Sequence, residues 1–96
     1  MRIRDFEHKG LKRLYLEDDA KGVPADAADK LKRMLAYLEN IADPEELRAL
    51  PLWKAHTLTG DRKGCWSLSV TRNRRPTFRV DTKELEVRGL NLEDYH

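Results

Sequence analysis

The chain ends in three residues whose side chains can all take part in proton transfer. Asp94, Tyr95 and His96 place a carboxylate, a phenol and an imidazole directly after a predicted strand. A terminal tripeptide is also often frayed, and a final histidine is often left from an expression tag, so these residues alone do not identify an enzyme. His56 precedes a basic turn, and a single histidine is more often a surface or capping residue than a catalyst.

A strongly basic segment lies between His56 and the terminal tripeptide. Residues 54–79 carry seven lysines and arginines and one acid, a local net charge of +6, whereas the whole chain has a net charge of only +2. This charge suits an anionic ligand, since phosphate contacts dominate the affinity of proteins for nucleic acids. A solvated sheet face explains such charges more simply when nothing else is known. The basic residues are Lys54, Arg62, Lys63, Arg72, Arg74, Arg75 and Arg79.

Other classes of site leave no signature in the sequence. Three histidines, the single cysteine Cys65 and scattered acids show no pair at the spacing of metal ligands, so we predict neither a metal site nor a cofactor. Neither a phosphate-binding glycine loop nor a serine-hydrolase motif occurs. The longest apolar runs are far shorter than the roughly 20 residues of a membrane helix, and we expect a cytoplasmic protein without membrane contact.

Two amphipathic helices are predicted in the first half of the chain. Leu11, Leu14 and Tyr15 recur at spacings of three and four, which predicts a short helix over about 8–17. A second and stronger helix follows the break at Gly22 and Pro24. Its apolar stripe is formed by Ala27, Ala28, Leu31, Met34, Leu35, Leu38 and Ile41.

A brief third helix is predicted to begin at Asp43. This residue is followed by Pro44, with Glu46 three positions further on. These are the residue types of an N-cap, a first-turn proline and a capping-box acid. The helix should end near 50–51, where a second proline follows.

The hydrophobic period changes to two in the second half of the chain, which predicts two half-buried strands. The alternating apolar residues are Trp66, Leu68 and Val70 in the first strand, and Phe78 and Val80 in the second. The segment 72–74 is short enough for a hairpin, and 60–64 forms a polar turn before the first strand. If the apolar set faces the helices, alternation directs Arg75 and Arg79 to the opposite, open face of the sheet.

Two further positions constrain the sheet. Pro76 lacks a backbone donor, so its strand should lie at an edge or be irregular at that point. The apolar residues of the last strand change parity around Gly89, which predicts a β-bulge there. They are Leu85 and Val87 before the glycine, and Leu90 and Leu92 after it. The predicted fold is α+β, with two or three helices packed on one face of an antiparallel β-sheet in a single domain over 1–96.

Read in order, several segments resemble the HigB family of RelE/ParE-type toxins. They are FEHKGL at 6–11, LTGDRKG at 58–64, WSLSV at 66–70, NRRPTFR at 73–79 and LEDYH at 92–96. The resemblance spans essentially the whole chain. The GDRKG turn, the arginine strand and the terminal DYH are specific in combination, although each alone is a weak signal.

The resemblance implies a toxin that cleaves messenger RNA in the ribosomal A site. It also implies a cognate helix-turn-helix antitoxin of the HigA type encoded nearby. By position, the family's catalytic residues match His56, Arg75, Asp94, Tyr95 and His96. The other basic residues are then predicted to bind RNA, namely Lys54, Arg62, Lys63, Arg72, Arg74 and Arg79.

Two positions depart from the family pattern. Some members have a lysine where this chain has Thr59, and an aliphatic residue is more usual where Pro76 stands. One phosphate or proton partner of the family site is therefore missing here. Arg62, Lys63 or Arg74 could supply the charge, and the rate and the codon preference depend on whether one of them does.

The residues that match the family's catalytic positions include the groups that a metal-free ribonuclease requires. The RNA's own 2′-hydroxyl can act as nucleophile if the protein provides a base, a cation for the phosphorane charge and an acid for the leaving oxygen. Asp94 or His96 would transfer protons, Arg75 would stabilise charge, Tyr95 would orient or stack on the nucleotide, and His56 would be the second acid/base group. Two alternatives remain, a ParE-like toxin that acts on DNA gyrase without cutting nucleic acid, and a non-catalytic RNA- or ribosome-binding module. The Asp/Tyr/His ending favours the nuclease.

Overall fold

The two α-helices begin and end close to the predicted positions. A computed structural model describes residues 1–94 of the chain. α1 spans Lys9–Glu17 and α2 spans Ala28–Asn40. His8 caps α1, because its Nδ1 accepts the backbone N–H of Leu11 at 3.1 Å. In this part of the chain no helix is long and apolar enough to cross a membrane.

The predicted third helix is present as a 3₁₀ helix at Pro44–Ala49. Its capping box is formed, since Asp43 accepts the N–H of Glu45 at 2.9 Å and Glu46 accepts the N–H of Asp43 at 3.0 Å. Two further 3₁₀ turns follow at Pro51–Trp53 and Gly60–Arg62. The segment from α2 to the sheet is therefore a series of short turns, each begun by a proline or a glycine.

Within residues 1–94, five strands form one sheet in the order β1-β5-β4-β3-β2. They are β1 (Arg2–Ile3), β2 (His56–Thr57), β3 (Cys65–Ser67), β4 (Arg74–Asp81) and β5 (Glu86–Asp94). All neighbouring pairs are antiparallel except β1 with β5, which is parallel. The α+β prediction is confirmed. The sequence gives no signal for β1 and β2, because two residues are too few to show alternation.

Pro76 lies on β4, which is a central strand, so the edge position, one of the two predicted alternatives, is not the one found. The predicted irregularity is found on the neighbouring strand. Leu68 donates its N–H to the Pro76 carbonyl at 2.9 Å, but proline has no N–H to return. β3 therefore ends at Ser67 instead of continuing to Val70 as predicted, although the hairpin closes beyond it through a 3.3 Å bond from the Val70 N–H to the Arg74 carbonyl.

The predicted bulge is present on β5. Pairing with β4 shifts by one residue between Thr77 and Arg79, and Gly89 opposite this shift has φ +63°, a left-handed conformation that glycine adopts without strain. The shift allows apolar residues of both parities to face the core. These are Val87 before the bulge and Leu90 and Leu92 after it. Leu85 was predicted to belong to the strand but lies in the preceding turn, where it is exposed and has φ +53°.

The core lies between the helices and one face of the sheet. On the sheet side Trp66, Leu68 and Phe78 are buried, as predicted, and on the helix side the buried stripe includes Leu11 and Leu31. The alternation on β3 is incomplete, because Ser67 is also fully buried although it points away from the helices. All three residues of β3 are buried, so it is a buried strand and not the half-buried one that was predicted.

One close approach between backbones fixes the position of α1. An added Cβ at Gly10 would lie 2.0 Å from the carbonyl oxygen of Gly22, which no side chain can accommodate without moving the backbone. We expect Gly10→Ala to destabilise the protein by about 2 kcal/mol, in the range of overpacked cores. Chemical denaturation measures this loss, with Lys12→Ala on the exposed side of the same helix as the control. Equal stability of the two variants would contradict the contact.

The cap of α1 also predicts a pH dependence. Burial, followed by the nearby Arg74 guanidinium, lowers the pKa of His8 below its ordinary value of 6.5. The unfolded chain therefore takes up this proton at a higher pH than the folded chain does. Neutral His8 contributes its full share to the free energy of unfolding above pH 6.5, and this contribution is lost as the pH falls below that value.

We expect denaturation at pH 7.5 and 5.5 to show a smaller pH-dependent loss of stability for His8→Asn than for the wild type. Asparagine caps a helix well and does not titrate in this range. Lys12→Asn, also on α1, should keep the wild-type loss. Identical losses in all three proteins would show that His8 is not the titrating group.

Candidate functional site

The register of the sheet places a row of side chains on the side away from the helices. His56 of β2 pairs with Ser67 of β3, and Ser67 pairs with Thr77 of β4. Paired residues of antiparallel strands point to the same side, so this row shares one surface, which we call the open face. Neighbouring strands are about 4.8 Å apart, so the backbones of His56 and Thr77 are separated by roughly 10 Å.

The two predicted strand arginines lie on the open face. Arg75 and Arg79 are each two residues from Thr77, so they share its side of β4. Arg79 is exposed, and its Nη1 donates to the Lys63 carbonyl at 3.2 Å. Arg75 is half-buried and pairs in register with Glu93 of β5. The basic strand therefore presents guanidinium groups along the same surface as His56.

His56 is exposed and its ring is oriented by one hydrogen bond. Nδ1 lies 2.9 Å from the carbonyl oxygen of Lys54. A carbonyl can only accept, so Nδ1 must carry the proton and donate. In the neutral ring Nε2 is then the unprotonated nitrogen, which is the state a general base needs. The ring borders a cleft of about 550 Å³ that is also lined by Lys30, Lys54 and Arg72.

The side chain of Asp94 points to the opposite side of the sheet from those of Arg75 and Arg79. It is paired in register with Arg74 and forms an ion pair with that residue. Alternation places both side chains on the helix-facing side at the end of the sheet, so the structure brings Asp94 to Arg74 and not to Arg75. Tyr95 and His96 lie outside the described residues. Their predicted roles, and the joint geometry of the terminal three, stay predictions.

The carboxylate that does face the open side is Glu93, which the sequence analysis did not select. Arg62 donates Nη1 to Glu93 Oε1 at 2.8 Å and Nη2 to the other carboxylate oxygen. Thr77, which is buried, donates its hydroxyl to the same second oxygen. The Arg62 hydrogen bond is the largest cause that lowers the pKa of Glu93. Burial opposes it, and the Thr77 hydrogen bond and the charges of Arg62 and Arg75 lower the pKa further.

Arg62 and Glu93 also line a second cleft of about 260 Å³ beside the bulge. Arg79 and Arg88 contribute two further guanidinium groups to this cleft, and Glu7 contributes a second carboxylate. The signal that could have identified Glu93 was parity, because on an unbulged end of β5 it must point to the same side as its partner Arg75. The sequence reasoning followed residue types in the terminal tripeptide and did not apply this test.

The arrangement is suited to acid–base chemistry on an anion. It combines an imidazole with an available Nε2, a row of guanidinium groups and carboxylates at the end of β5. Within residues 1–94, no group of three or more histidine, cysteine, aspartate or glutamate side chains is placed to hold a metal ion. Of the predicted RNA-binding residues, Lys54 and Arg72 line the first cleft and Arg62 and Arg79 line the second. Arg74 points to the other side of the sheet, beside Asp94.

Comparison with known proteins gives two matches. A family model described as the RelE-like toxin of the type II toxin-antitoxin system HigB matches residues 4–96. A protein of Proteus vulgaris named Endoribonuclease HigB is 38% identical over 94 residues. The match covers 98% of this chain and 99% of the relative. The resemblance noted in the sequence therefore extends over nearly the full length of both proteins.

Proposed function

The chain belongs to the HigB-like family of RelE-like toxins of type II toxin-antitoxin systems, and on this basis we propose that it is an endoribonuclease that cuts messenger RNA in the ribosomal A site and so inhibits translation. The observation that carries the proposal is the near full-length similarity to a relative named as an endoribonuclease. The arginine row on the open face supports it, since RNA binding requires such a surface.

The proposed reaction uses the 2′-hydroxyl of the RNA as the nucleophile and no metal. His56 would accept or return a proton through Nε2, and the Nδ1 bond to the Lys54 carbonyl orients its ring. Arg75 would stabilise the negative charge of the phosphorane. Asp94 or His96 would transfer the second proton and Tyr95 would orient the nucleotide. Of the two acids, His96 is our candidate, because Asp94 points to the helix-facing side beside Arg74. The ester bond to the 5′-oxygen breaks, and that oxygen takes up a proton.

The proposed RNA contacts are made by Lys54, Arg62, Lys63, Arg72, Arg74 and Arg79. Two of these six, Arg62 and Arg74, are engaged in ion pairs with Glu93 and Asp94. Phosphates that approach these two arginines must therefore compete with a carboxylate of the same chain. Lys54 and Arg72 border the cleft beside His56, which makes them the nearest candidates to contact a phosphate next to the cleaved bond.

Membership of a type II system means that the toxin has an antitoxin partner. We propose that this antitoxin is of the HigA type with a helix-turn-helix domain, that the RNA substrate is a message being translated on the ribosome, and that the protein acts in the cytoplasm. The antitoxin would be encoded beside the toxin. Co-expression of the neighbouring gene should restore growth if this proposal is right.

The nuclease proposal predicts a specific pattern of variant effects. We expect induced wild-type protein to arrest growth and to produce 5′ ends at in-frame positions within translated messages. Arg75→Ala and His56→Ala should reduce cleavage on purified ribosomes by roughly 10²-fold or more, the usual cost of removing a charge-stabilising or proton-transferring group. Arg33→Ala, an exposed arginine of α2, is the control and should cut like the wild type.

If all four proteins arrest growth without new 5′ ends, the nuclease proposal is wrong. Gyrase supercoiling assays then test the ParE-like alternative, and ribosome binding without cleavage tests the binding-module alternative. If only the wild type and Arg33→Ala cut RNA, the open face is the active surface. Each of these results identifies one of the three functions.

The mechanism also predicts the product ends and their metal dependence. Attack by the 2′-hydroxyl leaves a 2′,3′-cyclic phosphate on one fragment and a 5′-hydroxyl on the other. We expect both ends in end-specific ligation of the fragments. Cleavage of a model RNA should continue after EDTA treatment of the toxin alone, since the proposed groups are all side chains. A 3′-hydroxyl product would require a different nucleophile.

A further inference from the structure

We propose that Glu93 is a positioning residue of the active site, which ties the Gly60–Arg62 turn and the middle of β4 to the end of β5 and thereby sets the placement of the catalytic candidates on β4 and β5. The proposal rests on the proposed ribonuclease function. It concerns a carboxylate that lies within the LEDYH segment but is not among the catalytic residues that the resemblance implies.

The contacts of Glu93 join three separate segments of the chain. The guanidinium group of Arg62 lies on the turn before β3, the hydroxyl of Thr77 lies in the middle of β4, and Glu93 itself lies on β5. Its side chain is only 23% exposed, against 41% for Arg62. A bidentate arginine–carboxylate pair with a third donor defines the orientation of all three side chains, which single surface ion pairs do not.

The location of this cluster connects it to the reaction. Arg75 is the register partner of Glu93, and its charge contributes to lowering the pKa of that carboxyl. Asp94 follows Glu93 directly and pairs with Arg74 on the opposite side of the sheet. Glu93 and Asp94, the last two described residues of β5, are thus fixed by ion pairs on opposite faces of the sheet. The segment that carries the terminal candidates Asp94, Tyr95 and His96 begins from this fixed point.

Glu93 is unsuited to transferring a proton itself. The donors around it stabilise the ionised form, so its pKa lies below the ordinary value and the group stays charged throughout the neutral range. A group of this kind is a poor general base, because efficient proton transfer needs a pKa near the working pH. Its contribution is therefore a fixed negative charge and a fixed geometry.

A different role for the same contact is a gate, in which Glu93 occupies Arg62 until an RNA phosphate displaces it. The two roles predict opposite kinetics. Loss of a gate frees Arg62, so RNA binds more tightly and the rate does not fall. Loss of a positioning group leaves substrate binding nearly unchanged and reduces the rate of the chemical step, since displacement of catalytic groups by about 1 Å can cost about 10²-fold. The buried hydroxyl of Thr77 favours the positioning role. Its hydrogen bond to Glu93 helps to fix the carboxylate, whereas a gate would require a carboxylate that RNA can displace.

The test compares Glu93→Gln with the wild type by steady-state cleavage of a model message on purified ribosomes. Glutamine has nearly the same size as glutamate and keeps one acceptor oxygen, but it lacks the negative charge that binds the guanidinium group of Arg62. We expect kcat to fall by about 10- to 100-fold with KM changed less than about threefold. Arg62→Glu combined with Glu93→Arg restores the ion pair in reverse, and this double variant should cut at least about threefold faster than the slower of its two single variants.

Glu84→Gln is the matched control. Glu84 is an exposed acid of the turn between β4 and β5, so this change removes an equal charge from the same hairpin without touching Arg62, and its kcat should equal that of the wild type. A matching fall in Glu84→Gln and Glu93→Gln would overturn the proposal in favour of a general effect of charge. A lower KM with kcat unchanged or raised in Glu93→Gln would overturn it in favour of the gate.

A measurement that does not depend on activity separates failure of this inference from failure of the proposed function. Hydrogen exchange of the amides of 91–94 should become faster in Glu93→Gln and stay unchanged in Glu84→Gln, both at a temperature where the proteins are fully folded. If the wild type does not cut RNA but exchange increases as expected, the cluster orders β5 and the ribonuclease proposal is wrong. If the wild type cuts RNA and Glu93→Gln matches it in rate and exchange, the positioning role is wrong.

Discussion

The pairing of β4 with β5 determines which face of the sheet the candidate residues of these two strands occupy. It is the longest ladder in the sheet and joins the arginine strand to the strand that leads to the terminal candidates. Because side chains alternate along a strand, the register of this one ladder assigns Arg75 and Glu93 to the open face and Arg74 and Asp94 to the other. The helices bury the apolar side of the same ladder. Packing and the site geometry therefore depend on one hydrogen-bonding pattern.

Charge in this site is balanced locally although the segment as a whole is basic. The terminal acids of β5 are adjacent in sequence and point to opposite sides, and each neutralises an arginine there. This arrangement reduces repulsion among closely spaced guanidinium groups and keeps them in defined rotamers. The proposed RNA-binding surface is consequently a set of oriented cations, with part of its charge compensated within the chain. Charge counts along the sequence detect the basic surplus but not this compensation, because partners such as Arg62 and Glu93 are far apart in the chain.

Much of the fold could be predicted because local signals agree with the tertiary structure. The capping box at Asp43, the stripe of α2 and the change of parity around Gly89 each reflect a physical requirement that acts within a few residues. The two-residue strands could not be predicted, since their pairing partners supply the stability. The central position of Pro76 was missed for a related reason, because a missing donor is tolerated in a central strand when the neighbouring strand ends opposite it. In the site, residue types and resemblance selected His56 and Arg75, whereas Glu93 required knowledge of the register.

The extra residue at the bulge bears on how this chain can vary. Without it, β5 would alternate regularly from Val87 to Asp94, because the residues before and after Gly89 would then pair with β4 in one continuous register. Removal of one residue at the bulge would therefore leave Glu93 opposite Arg75. Removal of one residue beyond the bulge, with the bulge retained, would instead turn over the end of the strand, so that the two acids exchange faces without any change in their identity. Substitutions and length changes are therefore not equivalent in this strand, and the place of a length change relative to Gly89 decides which face each acid occupies.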